Sequence, residues 1–340
     1  MGMLKPGKVQ QYLAPTKANL CYPPQAGDYR YFEPPRFRGN SGFSFCNALW
    51  AADASLLAYG RNAETRMTEA EFKAILEAAG FETMETIGDF FVANADMARG
   101  FFAANDDFAF LAFRGTEPDD PFDVLDDADL LLVRQEALGG PGAGSVHQGF
   151  QAYLRDVWTR VAGPVAAYRA THPAQEICIT GHSLGAALAT LAFQQLRDEH
   201  SSLYTFGCPR AGDQEFCVDV SALAKTRGCF RFVDNQDVVT HVPTPSFLLP
   251  YAHPNCALLW IDPAGAIIEN PAYPPGDCRD FTELGLDFLR GEIVDPLPEP
   301  LADHSLVRYC YWIGKRCLDS ATVPTAPPPT SPPTPASPSS

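Results

Sequence analysis

The residues best suited to chemistry in this chain lie in the run Ile177-Cys-Ile-Thr-Gly181-His182-Ser183-Leu184-Gly185-Ala-Ala-Leu-Ala. A serine with a glycine two positions away on each side, after an apolar run and before a helical one, fits G-x-S-x-G at a strand-to-helix turn. Such a turn holds the serine in strained dihedrals. Side chains two positions to either side would collide, so Gly181 and Gly185 meet a steric requirement. The turn also sets Ser183 at a helix N-terminus, where free backbone donors and the helix dipole favour developing negative charge. A glycine-serine turn that only caps a helix is the bland alternative, and the strand before and helix after weigh against it.

A hydroxyl is a weak nucleophile and needs a base, with an acid to orient that base. In enzymes built on this elbow the chain order is serine, acid, histidine. Cys229-Phe-Arg-Phe-Val233 reads as a later strand and Asp234-Asn-Gln-Asp237 as its loop. Asp234 stands at the strand edge as a turn or surface residue. Asp237 precedes Val238-Val239, which would wall it in, and is favoured as the acid. Three histidines follow. His241 is too close in sequence to fold back onto its own loop, and His253, in Tyr251-Ala-His253-Pro, suits a structural role. His304, in the loop Ala302-Asp-His304-Ser entering the last helix, can swing over the serine and is the favoured base.

Acyl transfer also needs donors for the tetrahedral oxyanion. The backbone N–H of Leu184 is one. The second is expected from Phe108-Ala-Phe-Leu-Ala-Phe113-Arg-Gly115-Thr116, a strand followed by a tight turn, with Thr116 donating through its N–H and hydroxyl.

The elements that must hold these groups follow from periodicity. Leu49, Ala52, Leu56 and Tyr59 predict an amphipathic helix over 47–59. Thr68-Glu-Ala-Glu71 is a capping box for a helix ending before Gly80. Strands are predicted at 90–94, 100–105, 108–113, 176–180, 203–206 and 230–233, and helices at 150–169, 183–199 and 305–318. Phe108–Phe113 is continuously apolar, as a strand buried on both faces of a parallel sheet should be. The alternation predicts an α/β fold with a mainly parallel central sheet flanked by helices. Residues 1–40 read as an extended, proline- and aromatic-rich arm, 41–320 as the catalytic domain, and 321–340 as a disordered Pro/Ser/Thr-rich tail.

Bulk properties narrow the function. The 340 residues are 46% hydrophobic, enough for one large domain. The net charge of −16 disfavours nucleic acid and anionic membranes as partners. No apolar run is long enough to span a bilayer, and the first residues lack the apolar core of a signal peptide. The chain is therefore expected to be soluble, either cytoplasmic or exported without a recognisable signal. Ten cysteines show no framework spacing. Cys310 and Cys317, roughly 10 Å apart along one helix, are too far apart to bridge. Mostly free thiols in a reducing compartment are expected, with room for one or two bridges. The lack of a CxxC pair speaks against zinc.

Several segments taken in order resemble the fungal-type class 3 lipase family over about residues 40–315. They are Asn47-Ala48 with Ala58-Tyr59, Phe113-Arg-Gly-Thr116, Val146-His-Gln-Gly-Phe150, Gly181-His-Ser-Leu-Gly185 and Tyr204-Thr-Phe-Gly-Cys-Pro-Arg210 with Gly212-Asp213. Asp237 ahead of Val242-Pro243, and Asp303-His304 with Tyr309, complete the set. The resemblance implies an α/β-hydrolase fold, no metal or organic cofactor, and hydrolysis of acylglycerols or related esters. It implies Ser183, Asp237 and His304 as the triad, with Thr116 and Leu184 as the oxyanion hole. The chain departs from the pattern at Ala186, where a third glycine is common, and at Val238, where proline is usual. A long stretch between Gly276 and Asp303 also departs, and its helical run at 282–290 could cap the site beside His304.

The family has a helical lid after the oxyanion loop, here Glu117 to Val133. Phe122, Leu125 and Leu132 could form its apolar face at a lipid–water interface, while a solvated acidic loop is the alternative. Seven acids between Glu117 and Asp129 favour neutral glycerides or short esters over anionic phospholipids. A phospholipase A or acyltransferase on the same triad, or a lipase-like scaffold for protein interaction, are the other readings. A scaffold would have no need of all four of Ser183, Asp237, His304 and Thr116. The proline-rich tail could also serve as a ligand for a polyproline-binding module. Nothing in the sequence sets the oligomeric state.

Overall fold

The computed structural model describes residues 16, 20–23, 29–33, 35–40, 42–61, 64–88, 100–115, 131–225, 228–243, 245–246, 248–271 and 298–322. The strand expected at 90–94, Thr116, the lid up to residue 130, the helix at 282–290 and the tail beyond 322 lie outside these residues.

The chain opens with α1 (Phe45–Leu57), α2 (Glu69–Ala79), β1 (Thr83–Ile87), β2 (Gly100–Ala104), β3 (Phe108–Phe113), β4 (Leu132–Arg134) and β5 (Ser145–His147). It continues with α3 (Gln148–Thr171), β6 (Glu176–His182), α4 (Leu184–Leu196), β7 (Ser201–Phe206), β8 (Gly212–Asp213), α5 (Gln214–Leu223) and β9 (Cys229–Asp234). Last come β10 (Tyr251–Ala252), β11 (Ala257–Ile261), β12 (Ile267–Glu269), α6 (Glu299–Ala302) and α7 (Leu306–Thr322).

The main sheet has the order β1-β2-β3-β6-β7-β9-β11-β12. β3, β6, β7, β9 and β11 are parallel, and β1, β2 and β12 run antiparallel to their neighbours. This is the expected mainly parallel sheet with helices on both faces. Phe108, Phe110 and Ala112 of β3 join the core under α1, α2 and α7. Ala109, Leu111 and Phe113 join the core under α3, α4 and α5. A strand covered on both sides has no polar face to show, which is why its sequence does not alternate. Each fully buried phenylalanine contributes on the order of 1.5–3 kcal/mol.

The amphipathic helix expected over 47–59 is α1, and it is buried beyond the one face its spacing suggests. From Trp50 to Leu57 every residue is buried, because α7 and the N-terminal segment cover its outer side. Trp50 Nε1 donates to the carbonyls of Glu33 and Pro35, and its ring lies 5.1 Å from that of Phe32. Asp53 accepts from Tyr29 Oη at 2.5 Å and from the Phe32 N–H at 2.7 Å. Leu20, Tyr22, Phe32 and Phe37 are core residues.

α2 has the capping box read from its sequence. Glu71 N–H donates to Thr68 Oγ1 at 3.3 Å, Thr68 N–H donates to Glu71 Oε2 at 2.8 Å, and Gly80 closes the helix at φ 92°. A second, antiparallel sheet of order β10-β8-β5-β4 escapes sequence reading, since strands of two or three residues carry no periodicity. β1, α5, β11 and β12 also go unpredicted.

The cysteines form two bridges, within the one or two for which the sequence left room. Among the described residues Cys46–Cys317 and Cys229–Cys256 are disulfides, while Cys21, Cys178, Cys208, Cys217 and Cys310 are buried outside any disulfide. Cys317 does not reach Cys310 along its own helix; it bridges to α1 instead. Two such bridges do not suit the reducing compartment inferred from the spacing. Among the described residues no helix is long and apolar enough to cross a membrane.

Candidate active site

β6 delivers Ser183 and α4 begins one residue later. Ser183 sits at φ 57°, ψ −130°, a conformation costly for a residue with a Cβ. The glycines around it have no room for a side chain. A Cβ on Gly181 would lie 2.2 Å from the Gly185 carbonyl oxygen, and one on Gly185 would lie 2.3 Å from that of Phe113. The turn is pinned by the Ser183 N–H donating to the Phe206 carbonyl at the end of β7, 3.1 Å away. The Leu184 N–H, first in α4, belongs to the helical turn whose donors have no intrahelical acceptor. Thr116 lies outside the described residues and is preceded by Gly115. A Cβ there would be 3.1 Å from Ser183 Cβ, so the loop after β3 passes directly beside the serine.

Asp237 follows the turn after β9, and His304 follows α6. They are brought together from 67 positions apart: His304 Nδ1 is 2.9 Å from both Oδ1 and Oδ2 of Asp237. Asp237 is 0% and His304 2% exposed, so water does not compete for this bond. Oδ1 also accepts from the Val239 N–H at 3.0 Å, and Oδ2 from Tyr309 Oη at 2.7 Å. Burial and the nearby Asp237 and Asp234 charges push the Tyr309 phenol up, so it stays a donor. An acceptor-only carboxylate at Nδ1 requires that nitrogen to carry the proton, which leaves the Nε2 lone pair free to take one.

The side chains of Asp234 and His253 are occupied elsewhere. Asp234 Oδ2 lies 2.6 Å from Arg308 Nε. His253 donates through Nε2 to the Thr240 carbonyl at 2.7 Å, and burial holds its pKa down. The His241 carbonyl accepts from Arg210 Nη1.

His182, Tyr59 and Gly207 are the neighbours that sequence reading passed over. His182 Nε2 donates to the His304 carbonyl at 2.9 Å, and its ring lies 4.5 Å from the His304 ring. Its Nδ1 therefore accepts, from Tyr59 Oη at 2.8 Å. Burial and the adjacent His304 push the His182 pKa well down, which keeps it neutral for this bridging. α1 reaches the site by helical spacing: Thr180 Oγ1 donates to the Ala51 carbonyl and bonds Ser55 Oγ, and Tyr59 is one turn further on. Only that i, i+4, i+8 row hints at the contact beforehand. Gly207, at φ 57°, lets the chain pass under the Asp237–His304 pair.

A strained serine at a helix N-terminus and a buried acid–histidine pair beside its elbow are the parts that nucleophilic acyl transfer uses. Residues 110–247 match the protein-family model described as Lipase (class 3). The Secreted mono- and diacylglycerol lipase 1 of Fusarium solani is 32% identical over 119 residues, covering 34% of this chain and 34% of that protein. The Secreted mono- and diacylglycerol lipase LIP2 of Malassezia restricta is 29% identical over 174 residues, covering 48% and 53%. The chain thus spans about a third to a half of the length of the curated relatives it matches. The mono- and diacylglycerol lipase from Aspergillus oryzae, a solved structure, superposes with a TM-score of 0.55 at 19% identity, over 79% of this chain and 99% of that one. The likeness to that structure is one of fold. The matched segment carries Ser183 and Asp237 in one ordered run and is similar to class 3 lipases, and the sheet around them gives the chain an α/β-hydrolase fold.

Proposed function

We propose that this chain hydrolyses carboxylic esters, acylglycerols among them, through an acyl-enzyme on Ser183. Asp237 and His304 complete the triad, and the Leu184 N–H with Thr116 forms the oxyanion hole. The observation that supports this best is the buried Asp237–His304 pair beside the Ser183 elbow. His304 Nε2 takes the Ser183 proton as Oγ attacks the carbonyl carbon, then returns it to the leaving alcohol. Asp237 stabilises the imidazolium that forms between those steps. A water then repeats the sequence and frees the acid. The two relatives' names point to mono- and diacylglycerols as the substrate class. A net charge of −16 and the acids of 117–129 favour neutral esters over anionic lipids. The two disulfides suit an exported protein, as the relatives' names describe theirs.

The test is a p-nitrophenyl ester series from C2 to C16 on wild type and Ser183→Ala. Activity in wild type and none in the variant is expected, and the chain-length optimum separates lipase from short-chain esterase. A wild type inert on every ester would sink the proposal. Vesicle assays in which anionic phospholipid is cleaved faster than tributyrin would overturn the substrate class.

A further inference from the structure

Arg308 stands between the two loops that carry Asp237 and His304. Its Nε lies 2.6 Å from Asp234 Oδ2 and its Nη1 2.6 Å from Asp303 Oδ1. The guanidinium is 7% exposed and both carboxylates are 0% exposed. Asp303 Oδ2 in turn accepts from Asn235 Nδ2 at 2.9 Å and from the Gln236 N–H at 3.0 Å. The turn after β9 is therefore fastened to the start of α7 through one cation and the carboxylate next to His304.

The charges explain why an arginine is needed. Asp234, Asp237 and Asp303 are all fully buried and close together. Buried carboxylates without a cation are strongly disfavoured, and a rigid guanidinium fork can serve two of them at once. Burial pushes both Asp234 and Asp303 up, the latter to about 6, and Arg308 opposes this in each case. With Arg308 committed to these two, Asp237 is left to Tyr309, Val239 and His304.

We propose that Arg308 is a positioning residue, whose bridge between Asp234 and Asp303 sets the separation and orientation of the Asp237–His304 pair. This rests on the reading of Ser183, Asp237 and His304 as the catalytic groups. Arg308 touches none of the reacting atoms.

The test compares the full-length wild type with Arg308→Gln and Arg308→Lys on p-nitrophenyl butyrate. Each is normalised to the active serines titrated by diethyl p-nitrophenyl phosphate. Expected for Arg308→Gln is a fall in kcat per titrated site of about ten- to a hundredfold, with KM within threefold, and partial recovery in Arg308→Lys. An activity loss in Arg308→Gln that only tracks the loss of titratable sites is what a folding defect alone would give, and it overturns the proposal. Should Arg308→Gln yield no titratable protein, Asp303→Asn decides. That variant keeps the acceptor for Asn235 and Gln236 but loses the charge partner. A lowered kcat per site there supports the bridge, and a wild-type value overturns it. A wild type that is neither active nor titratable would refute the catalytic reading instead, so the two failures are distinguishable.

Discussion

Gly207→Ala is the perturbation with the most directly readable consequence. Gly207 follows β7 at φ 57°, and a Cβ there would lie 2.7 Å from Asp237 Oδ2 and 2.9 Å from His304 Cε1 and Nδ1. Ordinary contact begins near 3.4 Å, so the pair or the backbone must give by about 0.5–0.7 Å (3.4 less 2.9 and 3.4 less 2.7). The left-handed conformation costs an alanine roughly 1–2 kcal/mol, and overpacking a filled site costs about 1–3 kcal/mol more. A domain stable by about 5–15 kcal/mol survives that sum. The variant should therefore fold, with the Asp237–His304 pair displaced. Displacement near 1 Å costs on the order of a hundredfold in rate, so a loss of about ten- to a hundredfold in kcat is expected, with a lowered melting temperature. The assay is p-nitrophenyl butyrate hydrolysis beside thermal unfolding. A Gly207→Ala enzyme within twofold of wild-type kcat would refute the reasoning, because the pair would then have no role that so close a methyl disturbs.

Replacing Cys46 and Cys317 together by serine should lower stability by about 2–5 kcal/mol in urea unfolding. The bridge spans a separation of 271 residues, for which the chain-entropy argument gives an upper value near 6 kcal/mol; a loss under about 0.5 kcal/mol would count against a formed bridge. Burial pushes the Asp53 carboxyl up from 3.8 to about 7, against the hydrogen bonds from Tyr29 and Phe32 that lower it. A carboxyl with a higher pKa folded than unfolded binds a proton on folding, so its contribution is fully present below about pH 3.8 and is lost as pH rises through about 7. That loss is on the order of 4 kcal/mol, and Asp53→Asn should flatten the fall in urea midpoint between pH 5 and pH 8; an equally steep fall in the variant would reject the assignment.

What the sequence determined by itself is local. The elbow was legible because its geometry permits so few residue types: Gly181 and Gly185 must be glycines where a Cβ would strike backbone. The apolar run Phe108–Phe113 declared a strand covered on both faces, and Thr68 with Glu71 and Gly80 declared both ends of α2. Asp237 and His304 could be ranked above Asp234 and His253 from chain order and neighbours. Proximity could not be read the same way, since contacts between distant segments leave no periodic trace. The tertiary structure alone decided that Asp234 faces Arg308 while Asp237 faces His304, a difference made by which way two carboxylates three residues apart leave one turn. It decided that Tyr59 reaches His182, because α1 lies along β6, and that α1 is buried all round from Trp50 to Leu57, because the N-terminal segment and α7 cover it. It likewise paired Cys46 with Cys317 and Cys229 with Cys256, since bridging depends on which backbones approach within about 4–7 Å and not on spacing along the chain.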